Sequence, residues 1–215
     1  MQRNFGPDAR PVMRFAHGWD AGRAVGGRTL VGYPLGIVTT LITTKGFMDI
    51  GYLIIRLVIG TTLAVHGAQK LFGLFGGYGL AGTGGYFESI GFRPGKPLAF
   101  IAGIGETLGG LLLAVGLFTP FASAVLLSTM VVAIAVHADK GFFAQSGGYE
   151  YPLILATAVA AIAFTGSGAL SLDALLGNAF AGATWGVTAL ALGALGAIPP
   201  LALRATNRAR AAATA

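Results

Sequence analysis

The chain of 215 residues contains no cysteine. Disulfide bonds, thiolate metal ligands and dithiol redox chemistry carried by this chain are therefore excluded. Charged residues are also scarce, at 10% of the chain, against roughly 25% in soluble domains. Hydrophobic residues make up 54% and the mean hydropathy is +0.74. This composition excludes an ordinary soluble domain, and the length suits one helical unit embedded in a membrane.

The N-terminal segment, 1–46, lacks serine and has few acidic residues. A Ser-rich transit peptide is therefore not indicated, and the order of a secretory signal is missing. The first 47 residues hold six basic and two acidic side chains, so we interpret the segment as a basic, Gly- and Arg-rich leader, flexible or on the membrane surface. Its apolar part, 30–44, is short and contains a proline and four threonines, which favours an interfacial or re-entrant piece over a span. Met48 is an alternative start of translation, and whether 30–44 crosses the bilayer stays open.

The pI is about 10.0, but the sequence has no stretch in which basic residues alternate with aromatic ones. Nucleic acid is therefore not an expected partner, and the basic excess indicates contact with anionic lipid. By the same rule the leader predicts an N-terminus inside the cell. Five spans would then place the C-terminal arginines outside, unless 30–44 also crosses, so the orientation is undetermined.

Five apolar runs are long enough, or nearly so, to cross a hydrocarbon layer of about 30 Å. We predict an all-α membrane protein with a four-helix transmembrane bundle over 47–176, joined by a tight turn at Thr119-Pro120. An additional C-terminal transmembrane helix and a basic tail occupy 177–215. The predicted spans are 47–65, 98–117, 121–136, 151–164 and 183–203.

Two charges interrupt the first two spans. A charge inside a membrane helix is costly and marks a candidate functional site. Arg56 lies ten residues before His66, and Glu106 lies eight residues after Leu98. At 1.5 Å per residue both are about 12–15 Å below the same face, and small residues nearby would let the helices approach closely. We therefore predict a buried Arg56–Glu106 ion pair, serving either structure or ligand and proton handling.

Polar residues crowd one predicted end of the bundle. Antiparallel spans bring the connections 67–97 and 138–150 to the same face, whereas the Thr119-Pro120 turn carries no charge. Imidazoles titrate near neutrality, so such an opening is suited to proton transfer or to hydrogen bonding a quinone carbonyl; the simpler interpretation is interfacial anchors facing water. Arg56, Glu106, His66 and His137 are the candidate catalytic residues. The candidate quinone or ligand opening comprises His66, Gln69, Lys70, His137 and Glu150.

Two other site types have weak support. Metal binding is not expected, because the histidines and carboxylates lack helical ligand spacing. The segment 77–82 matches GxGxxG, but a dinucleotide fingerprint needs a preceding strand. A flexible or re-entrant loop with aromatic interfacial anchors explains this segment better.

Three segments carry the motifs R…HGxxKL, GExxGGxLLxxGLxTP, and GYEY followed by GxGxxSLD. They are RLVIGTTLAVHGAQKLFG (56–73), GETLGGLLLAVGLFTP (105–120) and GGYEYPLILATAVAAIAFTGSGALSLD (147–173). In content and order they resemble the DoxX family of small bacterial membrane proteins, over about 48–176. The resemblance implies a four-helix membrane domain. It also implies that six residues occupy family motif positions: Arg56, His66, Lys70, Glu106, Glu150 and Asp173.

The family takes its name from a subunit of a thiosulfate:quinone oxidoreductase, and other members are linked to membrane redox complexes. The resemblance thus implies a multi-pass subunit in the bacterial inner membrane that binds quinone or anchors a redox partner. No cofactor is certain, and quinone is the candidate. Other complex subunits or a second copy are the expected partners. The alternative is a non-catalytic structural or assembly subunit that docks through the leader, the Gly-rich connection and the fifth span; a small transporter is weaker, since no inverted repeat is present.

Overall fold

The computed structural model describes residues 44–214. The predictions for the leader and for 30–43 lie outside these residues. Within them every regular element is helical and no strand occurs. The helices are α1 (Thr44–Phe72), α2 (Gly79–Ser89), α3 (Gly95–Val115), α4 (Thr119–His137), α5 (Glu150–Thr165), α6 (Leu172–Leu175) and α7 (Ala183–Ala213).

Among the described residues, four helical segments are long and apolar enough to cross a membrane. They are Gly46–Phe72, Gly95–Val115, Thr119–Lys140, which adds a 3₁₀ turn to α4, and Ala183–Ala213. α5 is apolar but has 16 residues, about 24 Å, and is shorter than a full span. The chain is therefore an all-α, multi-pass membrane protein, and that prediction is confirmed.

The four long helices and the shorter α5 run alternately up and down, so the bundle has two different ends. One end, which we call the polar end, holds the C-termini of α1, α4 and α7 and the N-termini of α3 and α5. The connections 73–94 and 138–149 lie at this end. At the basal end α1, α4 and α7 begin, and the chain turns through 116–118 and 166–182. The predicted crowding of polar side chains at one end agrees with this topology.

Glycines bring α1 and α3 into close contact. A methyl group on Gly60 would lie 2.6 Å from the Gly110 carbonyl oxygen and the Ala114 nitrogen. One on Gly67 would lie 2.5 Å from the Gly103 carbonyl oxygen. Small residues at such spacing let helix backbones touch in lipid, where packing rather than the hydrophobic effect holds helices together. These contacts set the register of α1 against α3.

The helix outside the family-like domain belongs to the same core. α7 packs on α4 and α5, and Ala189 is buried in the cluster that contains Leu127 and Val159. Gly193 and Gly186 lie so close to Leu127 and Phe164 that an added methyl group would collide. The fifth span therefore completes the bundle rather than standing apart from it.

The predicted turn at Thr119-Pro120 is wrong in detail. Both residues belong to the first turn of α4, where proline costs no hydrogen bond because that N–H has no helical partner. The chain instead reverses at Gly116, which adopts φ +66°, while the Leu117 N–H closes onto the Leu112 carbonyl oxygen. This C-terminal motif ends α3 and leaves the basal turn short.

The Gly-rich connection contains α2, which packs on α3 and against the end of α1. Within the GxGxxG stretch, Gly77 is extended and Gly79 (φ +65°) begins the helix. α1 and a 3₁₀ turn precede the stretch, so it has no strand–helix context for a dinucleotide.

Candidate functional site

The predicted Arg56–Glu106 ion pair is wrong. From the Gly60–Gly110 contact, Arg56 lies four residues toward the basal end and Glu106 four residues toward the polar end. The two positions are therefore about 12 Å apart along the bundle. The prediction failed because α1 continues to Phe72 and α3 already begins at Gly95, so neither helix ends where the apolar pattern weakens.

Arg56 serves the basal end. Its side chain is completely buried (0% exposed), and Nη2 donates a hydrogen bond to the Leu170 carbonyl oxygen at 2.6 Å. The guanidinium fills the space beside Gly116, where any side chain would collide with it, and it forms no direct ion pair with Asp173. Arg56 thus ties α1 to the 166–171 segment.

Asp173 caps α4 from a distant part of the chain. Its carboxylate, also 0% exposed, accepts hydrogen bonds from the N–H groups of Phe118 (2.8 Å) and Thr119 (3.0 Å) and from the Thr119 hydroxyl (2.7 Å). These donors would otherwise be unpaired at a helix N-terminus, where a negative charge is also favourable. Asn178 adds a fourth hydrogen bond.

Asp49 completes this basal arrangement. It lies two helical turns before Arg56 on the same face of α1 and accepts the Ala169 N–H at 2.8 Å. Two charged residues of one helix therefore hold two consecutive residues of the 166–171 segment, Ala169 and Leu170. We call Asp49, Arg56 and Asp173 the basal clamp; its contacts are internal to the bundle.

Glu106 pairs with Lys70. The Lys70 ammonium contacts the Glu106 carboxylate, which is almost completely buried on α3. Gly67 packs between Gly103 and Thr107, so Glu106 is about one turn deeper than Lys70. Helix side chains lean toward the helix N-terminus, which for α1 is the deeper direction, and the lysine reaches down. A charge in the bundle interior is thereby matched.

His66 and Gln69 form a directed hydrogen-bond chain. Gln69 Nε2 donates a hydrogen bond to the Phe75 carbonyl oxygen at 3.1 Å. This contact orients the Gln69 amide so that its Oε1 lies 3.1 Å from His66 Nδ1. Because Oε1 only accepts, the neutral imidazole carries its proton on Nδ1. Its Nε2, 3.1 Å from the Tyr151 oxygen, then accepts from the phenol. The chain links α1, the Gly-rich connection and α5.

A cavity of about 560 Å³ opens beside these residues. His66, Gln69 and Lys70 share one face of α1, at positions i, i+3 and i+4, and form its polar wall. The opposite wall is the Gly-rich connection with α2, where glycines leave room between aromatic rings. We call it the α1–α2 cavity, and its remaining lining residues are Gly76, Gly77, Tyr78, Gly82, Thr83, Tyr86 and Phe87.

The other two residues of the predicted opening lie elsewhere at the polar end. The carbonyl oxygen of Gly147 is 2.7 Å from His137 Nδ1, and the Glu150 carboxylate accepts the Ala144 N–H at 2.9 Å. Both fasten the connection 138–149, and neither lines the α1–α2 cavity. The structure therefore brings together three of the five residues and separates His137 and Glu150 from them.

The model of the DoxX family matches residues 51–139. The protein named "Putative oxidoreductase CatD" of Bacillus subtilis (strain 168) is 32% identical over 125 residues, which cover 58% of this chain and 86% of that protein. The chain belongs to the DoxX family. An uncharacterized protein of Haemophilus influenzae is 32% identical over 123 residues, 55% of this chain and 85% of the relative, and no solved structure matches significantly.

In this DoxX chain the family-like motif residues divide between the two ends. Arg56 and Asp173 belong to the basal clamp, whereas His66, Lys70 and Glu106 lie at or beneath the α1–α2 cavity. The resemblance placed them in one domain but did not separate these roles.

Sequence reasoning missed several residues of both regions. Tyr151, the partner of His66, follows the named Glu150 by one position, and its place at the start of a helix facing the end of α1 was the available signal. Asp49 was visible as an acidic residue seven positions before Arg56 in an apolar helix. From the sequence, Tyr78, Tyr86 and Phe87 were interpreted as interfacial anchors, because only the folding of α2 places them in the wall of a cavity.

The described residues contain no group of three or more histidines and carboxylates able to hold a metal ion. What the α1–α2 cavity offers is a lysine ammonium, an amide and an imidazole opposite aromatic rings. Such a site suits a planar, uncharged molecule with hydrogen-bond acceptors at its edge.

Proposed function

We propose that this chain is a membrane subunit of a quinone-linked redox system and that the α1–α2 cavity binds the quinone head group. The single observation that carries the proposal is the pairing of a polar α1 wall with an aromatic α2 wall. A volume of about 560 Å³ lies within the range of roughly 300–1,000 Å³ typical of small-molecule pockets.

The location of the cavity suits a lipid-soluble ligand. Its polar wall belongs to the last two turns of a membrane-spanning helix, at the level where hydrocarbon gives way to head groups. A quinone can insert its ring there while its isoprenoid tail stays among acyl chains. Tyrosine side chains, with an apolar ring and a polar tip, are also favoured at this level.

The polar wall supplies the hydrogen bonds that a quinone ring needs. A quinone carbonyl is an acceptor, and the Lys70 ammonium has three donors. One contacts Glu106, so the carboxylate holds the side chain in place while other N–H groups are free for a ligand. Gln69 has a second amide hydrogen beyond the one given to Phe75. The site can therefore orient a carbonyl without moving its own residues.

Electrons would come from a partner. The chain has no cysteine, and its described residues hold no metal-binding group, so binding and orientation are the roles we assign to it. The name of the Bacillus subtilis relative, which calls that protein an oxidoreductase, supports an association with oxidoreductase chemistry. We extend the proposal to a bacterial inner-membrane location and to a complex with a separate redox protein.

Isothermal titration calorimetry of the purified full-length protein with a short-chain quinone tests the proposal. The Glu106→Gln variant keeps the shape of the side chain but loses the charge that positions Lys70, and we expect its Kd to rise about tenfold, or 1.4 kcal/mol. Lys140→Gln removes an exposed positive charge at the same end, outside the cavity, and should bind normally. Equal binding by wild type and Glu106→Gln, or absence of binding in both, contradicts the proposal.

A non-catalytic assembly subunit is the second candidate. The basal clamp favours it, because two motif residues of the family are used to hold the chain's own loops. Co-purification with the native membrane partners separates the two candidates. A stoichiometric complex that persists in His66→Gln and His137→Gln variants, together with absent quinone binding, supports the assembly role.

A further inference from the structure

A second cavity lies at the polar end, where the C-terminal turns of α7 meet the connection between α2 and α3 and the end of α4. Its volume is about 270 Å³. Four cationic side chains line it, Arg93, Lys140, Arg204 and Arg208, against two carboxylates, Glu88 and Asp139. We call it the α2–α7 cavity. Among its lining residues only Tyr86 is shared with the quinone site proposed above.

Arg204 builds this cavity rather than occupying it. Its Nε donates to the Ile90 carbonyl oxygen (3.1 Å) and its Nη1 to that of Ala135 (3.3 Å). The guanidinium also lies 5.6 Å from the centre of the buried Phe92 ring. Asn207 adds hydrogen bonds to the same connection. The end of α7 is thus fixed against two loops, and the cavity is preformed.

The other cations have no partner within the described residues. Arg93 and Arg208 are exposed, and their side chains make no ion pair or hydrogen bond there; Lys140 is also unpaired. The Glu88 carboxylate accepts the Gly95 N–H at 3.0 Å, and the four cations still exceed the two carboxylates by two charges. The cavity therefore presents uncompensated positive charge and free guanidinium donors.

The depth of the cavity identifies the kind of anion. Arg204 follows Ala183 by 21 residues, about 32 Å along α7, which is the thickness of the hydrocarbon core. Arg208 lies about 6 Å further out, at the level of lipid head groups, which extend roughly 5–8 Å beyond the hydrocarbon. Basic pockets at this level between membrane helices bind anionic head groups.

We propose that the α2–α7 cavity binds the phosphate group of an anionic phospholipid, with Arg93 and Arg208 as its ligands and Arg204 as the residue that positions them. Guanidinium groups suit this role because they form paired hydrogen bonds with phosphate oxygens. Since α7 lies beyond the matched residues 51–139, the site depends on a helix outside the family match.

Native mass spectrometry of the full-length protein in neutral detergent tests this proposal, with phosphatidylglycerol as the probe. We expect the double variant Arg93→Gln/Arg208→Gln to raise the Kd at least tenfold, since each charge-assisted hydrogen bond contributes substantially. Arg210→Gln is the matched control. Arg210 is an exposed arginine of the same tail that does not line the cavity, and its loss should change the Kd less than threefold because solvent screens it.

Two further probes determine the chemical source. Phosphatidylcholine, which has the same phosphate without net charge, should bind at least tenfold more weakly than phosphatidylglycerol. Inorganic phosphate should not displace the lipid at equal concentration. The proposal is overturned by equal binding of the two lipids, by displacement with inorganic phosphate, or by an Arg210→Gln effect as large as that of the double variant.

Discussion

The basal clamp yields the sharpest prediction about stability. Asp173→Asn keeps the volume of the side chain but replaces one acceptor oxygen with a donor and removes the negative charge. The native carboxylate is 0% exposed and accepts hydrogen bonds from two backbone N–H groups, a hydroxyl and an amide. An amide cannot accept from all four, and the buried Arg56 loses a nearby negative charge.

The expected loss follows from these contacts. Losing one or two charge-assisted hydrogen bonds to this buried carboxylate costs about 1.5–3 kcal/mol each, or about 3–5 kcal/mol in total. For a chain of this size 1 kcal/mol corresponds to about 2–4 °C in Tm. We therefore expect Asp173→Asn to lower the Tm by about 6–20 °C. The measurement is thermal unfolding in detergent, monitored by circular dichroism. Asp139→Asn, at an exposed position, should change stability by less than about 0.5 kcal/mol.

A double-mutant cycle isolates the interaction itself. Arg56→Met combined with Asp173→Asn removes both charges, so the double variant should be more stable than the sum of the single losses predicts, by about 1–3 kcal/mol. Additive losses, or a Tm for Asp173→Asn within 2 °C of the wild type, would refute the clamp as a charge-coupled unit.

Three further predictions concern packing, orientation and the polar end. Gly60→Ala should destabilise the protein by about 1–3 kcal/mol through collision with α3, whereas Gly51→Ala, with nothing within 4 Å, should leave the Tm within 2 °C. Because the chain has no cysteine, single Gln145→Cys and Leu175→Cys variants report orientation. The basic polar end predicts that an impermeant maleimide labels Leu175→Cys from outside intact cells and spares Gln145→Cys; the reverse pattern contradicts this. Glu150→Gln should speed amide hydrogen exchange in 138–149 at least tenfold without changing quinone binding, because the connection loses one of its attachments. Unchanged exchange would show that Glu150 does not fasten this connection.

The charges of the described residues favour the opposite membrane orientation from the one that the leader's charge predicts. The leader's charge predicts an N-terminus inside, but the described residues collect their exposed arginines and lysines at the polar end, opposite the start of α1. Arg56, at the basal end, is wholly buried and contributes nothing to such a count. The positive-inside rule depends on charges near the ends of spans, so the structure directs attention to the loops and the α7 tail.

Helices were predictable from the sequence because each apolar run must satisfy its own backbone hydrogen bonds in lipid. Their ends were not. Polar residues such as Gln69 and Lys70 continue α1 past the point where hydropathy falls, since the helix persists into the interface. The prediction of depth ended α1 at His66, six residues too early, and began α3 three residues too late. With the true ends, Glu106 lies about one turn below Lys70 and not at the level of Arg56.

The sequence by itself determined that this is a helical membrane protein of the DoxX type, with its titratable residues gathered mainly at one end. Only the tertiary structure decided which charges meet, which of five polar residues share a cavity, and that the last helix completes the core. The physical reason is that composition and periodicity report on each helix separately. Contacts between helices depend on register, which the Gly60–Gly110 approach sets to within one turn, and on the folding of a glycine-rich connection that has no strong pattern of its own.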